Sequence, residues 1–438
     1  MNKIQKKFKS SIRRGTGEAY LILLQNPEAD ISKYIIDAAV YNYAYDKQSE
    51  GSRSVYIVSL ILLSTQNEYI VNTLIKKLTK KKTDVYGIRQ LFDIVGYFAN
   101  EGNEAARAAM YKRFNRNLKA GYEYGGNDAI IQLDGIEGLK RVAEITGKIL
   151  LADPEDWEDS SRINEFQEKN PDIDIMFELT EAASKNKYIK KYIDVVKASD
   201  EERKNRPIKP TGLVESDVSY EALDMRIKES SFRSIRPAEI ARIDIEDLKK
   251  IATDFLNTSD VSLQMSYLKI FIKVKFPYGY KPLLKKLNFT KGQNDRLTLM
   301  FIYALQLFKA KELRKLAIKK IEQLDQAPLY STLLVANYKH GDHKLLVKLA
   351  NSYEDLDIVE QLAINYIDIF DANPTAKCKK PLEILYNKMN CGIHRTSLIE
   401  ILQDNNVCSK KIINEMRYDC SSSTRAIAAE LKNNNTVL

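Results

Sequence analysis

The sequence predicts an all-α protein, an α-solenoid of stacked helical pairs. Short amphipathic patterns, with apolar residues at i, i+3, i+4 and i+7, arrive in pairs along most of the 438 residues. No convincing cluster of strand-like alternation lies between them. Gly 17 and Pro 11 are low for this length, which fits long helical stretches with few tight turns. A short helical pair cannot bury its apolar face alone, so such pairs stack on one another.

A chain of this length exceeds one conventional core. The stretch around Ala198–Asp217 is charged, contains Pro207 and Pro210, and lacks helical periodicity. The expected organisation is an N-terminal helical lobe (1–198), a linker or long loop (199–217) and a C-terminal solenoid (218–438). A continuous array with a long loop there is the alternative.

In the first half, helices are expected over Ile31–Tyr45, Ser54–Leu63, Glu68–Leu78, Val85–Ala99 and Asn103–Phe114. Asn103, just before Glu104, is placed to cap the last of these. Glu50–Gly51–Ser52 and Glu101–Gly102–Asn103 are turn signals between successive helices. In the second half, Asp295–Phe308 puts Leu297, Phe301, Ala304, Leu305 and Phe308 on one face. Glu312–Ile321 does so with Leu313, Leu316, Ala317 and Ile321, and Asp355–Phe370 with Ile358, Val359, Leu362, Tyr366 and Ile369. Four more helices are expected near Leu382–Met389, Arg395–Leu402, Lys410–Met416 and Thr424–Leu431. Successive pairs recur at the spacing of helical repeats, roughly 30 to 45 residues.

Asp295–Arg296 through Ala304–Leu305, followed by Leu313–Arg314–Lys315–Leu316–Ala317, resembles one HEAT or armadillo-type repeat. Ser423–Thr424–Arg425–Ala426–Ile427–Ala428 resembles the start of another. More broadly, the chain is similar to HEAT-repeat-containing proteins of low-GC Gram-positive bacteria. The segments that carry this likeness are Glu50–Gly51–Ser52–Arg53, Asp153 to Asp159 and Cys391–Gly392–Ile393–His394–Arg395. The resemblance implies a fold and a binding role, since HEAT repeats carry no fixed active site.

Charge is unevenly distributed. The net charge is +9. Residues 1–150 carry 23 basic against 16 acidic side chains, and residues 251–350 carry 17 against 7. Between them, residues 151–200 carry 7 against 13. Two basic regions thus flank an acidic belt, and clustered Lys and Arg suit a polyanionic partner. The four cysteines all follow residue 377 and form no disulfide framework. No stretch reaches the ~20 apolar residues of a membrane span. The first seventeen residues are basic without acids; they read as a basic helix rather than a transit peptide, and the chain is expected to be cytoplasmic.

Several constellations are candidates for function. Lys112, Arg116 and Lys119 share a helix face beside Tyr111, with Arg107 one turn earlier. Lys76, Lys77, Lys80, Lys81 and Lys82 cluster at the preceding helix end, and Lys315, Lys319 and Lys320 extend a similar track. Basic residues interleaved with Tyr suit phosphate contact and base stacking, so nucleic acid is the leading partner. Part of this pattern is also structural, because cations favour helix C-termini.

The loop Asp153, Glu155, Asp156, Trp157, Glu158, Asp159 places five acids around the only tryptophan. It is expected either to dock a basic protein partner or to be a solvated helix start with Trp157 packed as an anchor. Its spacing matches no EF-hand. Some HEAT-like solenoids are DNA glycosylases that excise alkylated bases with a carboxylate and aromatic residues; that resemblance supplies the enzyme alternative, with an Asp near Trp157.

Gly121 to Asp128 is a turn without a P-loop ending. Cys391-x-x-His394 has the reach of a zinc hook that Cys378 or Cys408 could complete, against the ordinary reading, which includes Cys420, of buried thiols. No dinucleotide fingerprint or Ser-His-Asp order is present, so no cofactor and no catalytic set are expected. The sequence therefore favours a binding protein over an enzyme.

Overall fold

The computed structural model describes residues 2–80, 84–116, 126–153, 155–205, 217–229, 232, 234–290 and 295–435. Among these residues there are 26 α-helices and no strand, so the protein is all-α. None of the described helices is long and apolar enough to cross a membrane. The observed helices follow the apolar periodicity closely. Ser54–Leu63 and Lys410–Met416 coincide with expectation, and Asn67–Lys80, Val85–Asn100, Lys311–Glu322 and Leu356–Ala372 differ by one or two residues at their ends. Asn103 does cap its helix, accepting the Ala106 N–H at 2.9 Å. Asp355 does the same for Leu356–Ala372 through the N–H groups of Asp357 and Ile358.

The chain forms two compact units. One comprises Met1–Lys209, Asn390–Ile393 and Lys410–Leu438; the other comprises Pro210–Met389 and His394–Ser409. Of the stretch 199–217, residues 199–205 continue the helix Lys187–Asn205, and 206–216 lie outside the described residues.

In the first unit, a continuous core runs from Phe8 to Ile145, with Leu60, Ile61, Ile70, Ile88, Phe92 and Ile94 fully buried. A fully buried side chain of this size contributes about 1.5–3 kcal/mol. A second cluster joins Leu139, Leu150, Ile175, Leu179 and Tyr192. There the helices Asn127–Ala152 and Lys187–Asn205 approach so closely that a Cβ on Gly147 would lie 1.9 Å from the Tyr188 carbonyl oxygen. The C-terminal helices return to the first ones. Cys420 N–H donates to the Gly15 carbonyl at 2.9 Å, and the rings of Tyr20 and Tyr418 stack at 4.1 Å. Gly17 sits where a Cβ would meet the Glu415 carbonyl at 1.9 Å, so any larger residue would push the two segments apart.

The second unit is built around a ring cluster. Phe255 packs on Phe276, Phe301 and Phe271 with centroids 5.6, 5.9 and 6.0 Å apart, within the favourable range for edge and tilted pairs. Leu297, Phe301, Ala304, Leu305, Leu313, Ala317 and Ile321 are buried, as their spacing requires. Asn337 bridges the turn between two helices: it accepts from Ala310 N–H and donates to the Phe308 and Leu333 carbonyls.

Candidate functional site

Two helices of the first unit, Asn67–Lys80 and Glu104–Phe114, pack side by side. Lys76, Lys77 and Lys80 fall in and beside the last turn of the first, where the helix dipole favours cations. Lys112 lies in the last turn of the second; Arg116, expected on the same helix face, lies two residues beyond the helix end at Phe114. Arg116 donates to the Thr79 carbonyl at 2.8 Å, which ties its side chain to the neighbouring helix end. Lys76, Lys80, Lys112 and Arg116 are exposed and Lys77 is half-buried. Among the described residues none of the five makes an ion pair with a carboxylate. Tyr69, two turns before Lys76 on the same face, is 61% exposed. Its position was not singled out by charge clustering; only helical register reveals it. Lys119, Lys81 and Lys82, together with Gly121–Gly125, lie outside the described residues.

Arg107 and Tyr111 sit differently. Both donate to the carboxylate of Asp134, one to each oxygen. Burial and that hydrogen bond push the Tyr111 phenol up to about 12. Asp134 is delivered by a kink in Asn127–Ala152 at Gly135, whose φ of 56° is one that glycine adopts freely. These two side chains are therefore committed to an internal carboxylate. Lys315 and Lys319 are exposed on Lys311–Glu322 of the second unit.

In the acidic loop Asp153 and Glu155 are exposed, and Asp156, Glu158 and Asp159 are half-buried. Trp157 is 72% exposed, so it anchors nothing in this chain, contrary to the packed alternative. The loop's acids largely serve their own backbone. Asp153 accepts Glu155 N–H at 3.2 Å, Asp156 accepts Trp157 N–H at 2.9 Å, and Asp159 accepts Ser161 N–H at 2.9 Å. Glu158 is paired with Arg162 at 3.5 Å, yet burial holds its carboxyl above the usual range.

Two segments quoted for the HEAT likeness, and the start of the last helix, meet in the first unit. Glu50, Arg53, Gly392, Ile393, Ser423 and Arg425 line one polar cavity of about 350 Å³. Its floor is a buried ion pair. Arg53 donates to Glu50 at 3.0 Å, to the Asn390 carbonyl at 2.6 Å and to the Arg13 carbonyl at 2.9 Å. Glu50 in turn accepts the N–H groups of Tyr45 at 2.8 Å and Gly392 at 2.8 Å. The geometry identifies this knot as a structural tie between distant parts of the sequence.

None of the four cysteines forms a disulfide. Burial pushes the Cys378 and Cys408 thiols up to about 11, which makes them poor nucleophiles and poor metal ligands near neutral pH. His394 Nδ1 is held by the Glu360 carboxylate.

No protein family matches the sequence, and no curated protein does. A crystal structure of an engineered protein aligns over 99% of each chain at 13% identity with a TM-score of 0.19, too low to carry an argument about fold or function.

Proposed function

We propose that this protein is a HEAT-like helical-repeat binding protein that engages a polyanionic partner, nucleic acid in the first place, through the ridge Lys76, Lys77, Lys80, Lys112 and Arg116. The observation that carries the reading is the absence of counter-charge along that ridge among the described residues. Exposed cations that no carboxylate neutralises are free to replace the counterions of a phosphate backbone. Exposed Tyr69 adds a flat surface on which a base can stack. Arg107 and Tyr111 tie the helix that carries Lys112 to Asp134.

The test is binding of labelled single- and double-stranded nucleic acid at low salt, comparing the native chain with a variant carrying Lys76, Lys80, Lys112 and Arg116→Ala. The reading expects a loss of at least ~100-fold, since several phosphate contacts are removed at once. A Lys249/Lys250→Ala variant serves as the basic-surface control, because Glu246 and Asp247 already neutralise these two at 2.7 and 2.9 Å, and it is expected to bind within ~3-fold of the native chain. Equal losses in both variants would contradict the reading.

A second reading, a protein–protein adaptor, is favoured by one observation: the exposed Trp157 on its acidic loop. Exposed Trp is enriched among residues that dominate protein interfaces. A basic peptide titrated against Trp157 fluorescence tests it; an unchanged spectrum at saturating peptide would contradict it.

A further inference from the structure

We infer that the second unit carries a binding pocket for a phosphoryl group, separate from the ridge and independent of the reading above. A cavity of about 580 Å³ opens between the helices Tyr220–Lys228, Val261–Phe271 and Asp295–Leu305. Its volume falls within the range of small-molecule sites. Lys269 and Arg296 both line it, and they are close enough for the Arg296 charge to act on Lys269.

Lys269 is partly withdrawn from water. Its ammonium donates to the Phe232 carbonyl and lies 5.3 Å from the Phe232 ring centroid. An ammonium has three N–H donors, so this leaves donors for a ligand. Burial first, then the Arg296 charge, hold Lys269 below its ordinary range. Two like charges are thus brought together at a partly desolvated wall. Among the described residues none takes up any of the five N–H donors of Arg296.

The neighbouring groups narrow the ligand. Lys228, also on the wall, is neutralised by Asp224 at 2.6 Å. Asp260 uses a carboxylate oxygen to cap the Leu263 N–H at 2.8 Å, and Glu229 completes the acidic side of the wall. The remaining surface includes Leu263 and Met300, which are apolar. A dianionic head matched to Lys269 and Arg296, on a body with some apolar surface, describes a phosphate monoester of roughly nucleotide size.

The shared chemistry is the phosphoryl group, and its source is either a free phosphorylated small molecule or a nucleic-acid end. Calorimetry would use the full chain with the ridge substitutions in place, so that ridge binding does not contribute. The probes are adenosine monophosphate, adenosine as the phosphate-free control, and a 5′-phosphorylated pentanucleotide. The monophosphate is expected to bind one-to-one and at least ~10-fold more tightly than adenosine, the discrimination a charge-assisted pair provides. Arg296→Gln is expected to abolish that preference and Arg296→Lys to restore part of it. Thermal melting checks that Arg296→Gln remains folded, as its exposure allows. Tighter binding of the mononucleotide assigns the site to free small molecules, and tighter binding of the pentanucleotide to nucleic-acid ends. Equal binding of nucleotide and nucleoside, no binding of either at millimolar concentration, or an unchanged preference in Arg296→Gln would overturn the proposal. Loss of ridge binding has no bearing on this result.

Discussion

The ridge of Lys76, Lys77, Lys80, Lys112 and Arg116 and the knot around Arg53 lie in the same unit but treat positive charge in opposite ways. Arg53 is 6% exposed, and its guanidinium meets one carboxylate and two carbonyls. Four of the five ridge cations are exposed, and among the described residues none of the five pairs with a carboxylate. Burying a charge is costly unless it is paired and hydrogen-bonded; Glu50 and the two carbonyls take the terminal nitrogens of Arg53, while its buried Nε finds no partner among the described residues. The ridge makes no such demand on the fold, and its charges are available for something outside the chain. Compensated charge here is structural; uncompensated charge is where binding is to be sought.

The contrast is broken most severely at Arg53. Arg53→Met removes one partner of a buried pair, leaves Glu50 without its counter-ion, and is expected to cost about 3–5 kcal/mol. Urea unfolding measures this; a cost below about 1 kcal/mol would mean that the knot holds nothing together.

Glu18 sharpens the comparison from the acidic side. It is buried at 7% exposure, which pushes its carboxyl up. The Ser11 hydroxyl at 2.5 Å, Lys7 at 2.9 Å and Lys411 at 3.9 Å outweigh burial and hold it below 4.5. A carboxyl whose folded value is depressed stabilises the fold above its unfolded value and loses that contribution as pH falls through the folded one. Glu18→Gln is therefore expected to destabilise by about 1–3 kcal/mol at neutral pH and to flatten the stability profile below ~4.5. A native chain and variant with parallel pH profiles in that range would contradict the assignment.

Asp134 tests the boundary between the two kinds of charge. Asp134→Asn leaves Arg107 uncompensated, so the stability loss is expected to be about 1–2 kcal/mol while nucleic acid binds a few-fold more tightly. Unchanged affinity would place Arg107 outside the ridge's reach, and weaker binding would mean that the tie to Asp134 positions the ridge. The smallest effect is expected at Trp157, where Trp157→Ala should change stability by less than about 0.5 kcal/mol because the ring is exposed. A larger loss in thermal melting would mean that the ring packs after all.

Much of the fold was legible in the sequence because helices are encoded locally. The 3.6-residue spacing of Leu297, Phe301 and Ala304 fixes both the helix and the side it buries. Caps such as Asn103 are equally local. The return of the last helices to the first was not legible: Cys420 bonds Gly15 across four hundred residues, and no local pattern signals such a pairing. Gly17 becomes meaningful only when the Glu415 carbonyl is seen beside it. The candidate site was read in part. Clustering found Lys76, Lys112 and Arg116, but it could not distinguish them from Arg107, because the neutralising Asp134 is 27 residues away and enters through the Gly135 kink. The solvent exposure of Trp157 was likewise hidden, since an aromatic ring in a loop reads the same whether packed or bare.

The most direct measurement of the central claim is the salt dependence of nucleic-acid affinity for the native chain and for the variant with Lys76, Lys80, Lys112 and Arg116→Ala. Each phosphate contact contributes about 0.9 to the slope of log K against log salt on duplex DNA. The account predicts a steep slope for the native chain that falls by about 3–4 in the variant, with both proteins folded under the binding conditions. Identical slopes, or no binding by the native chain at low salt, would contradict it.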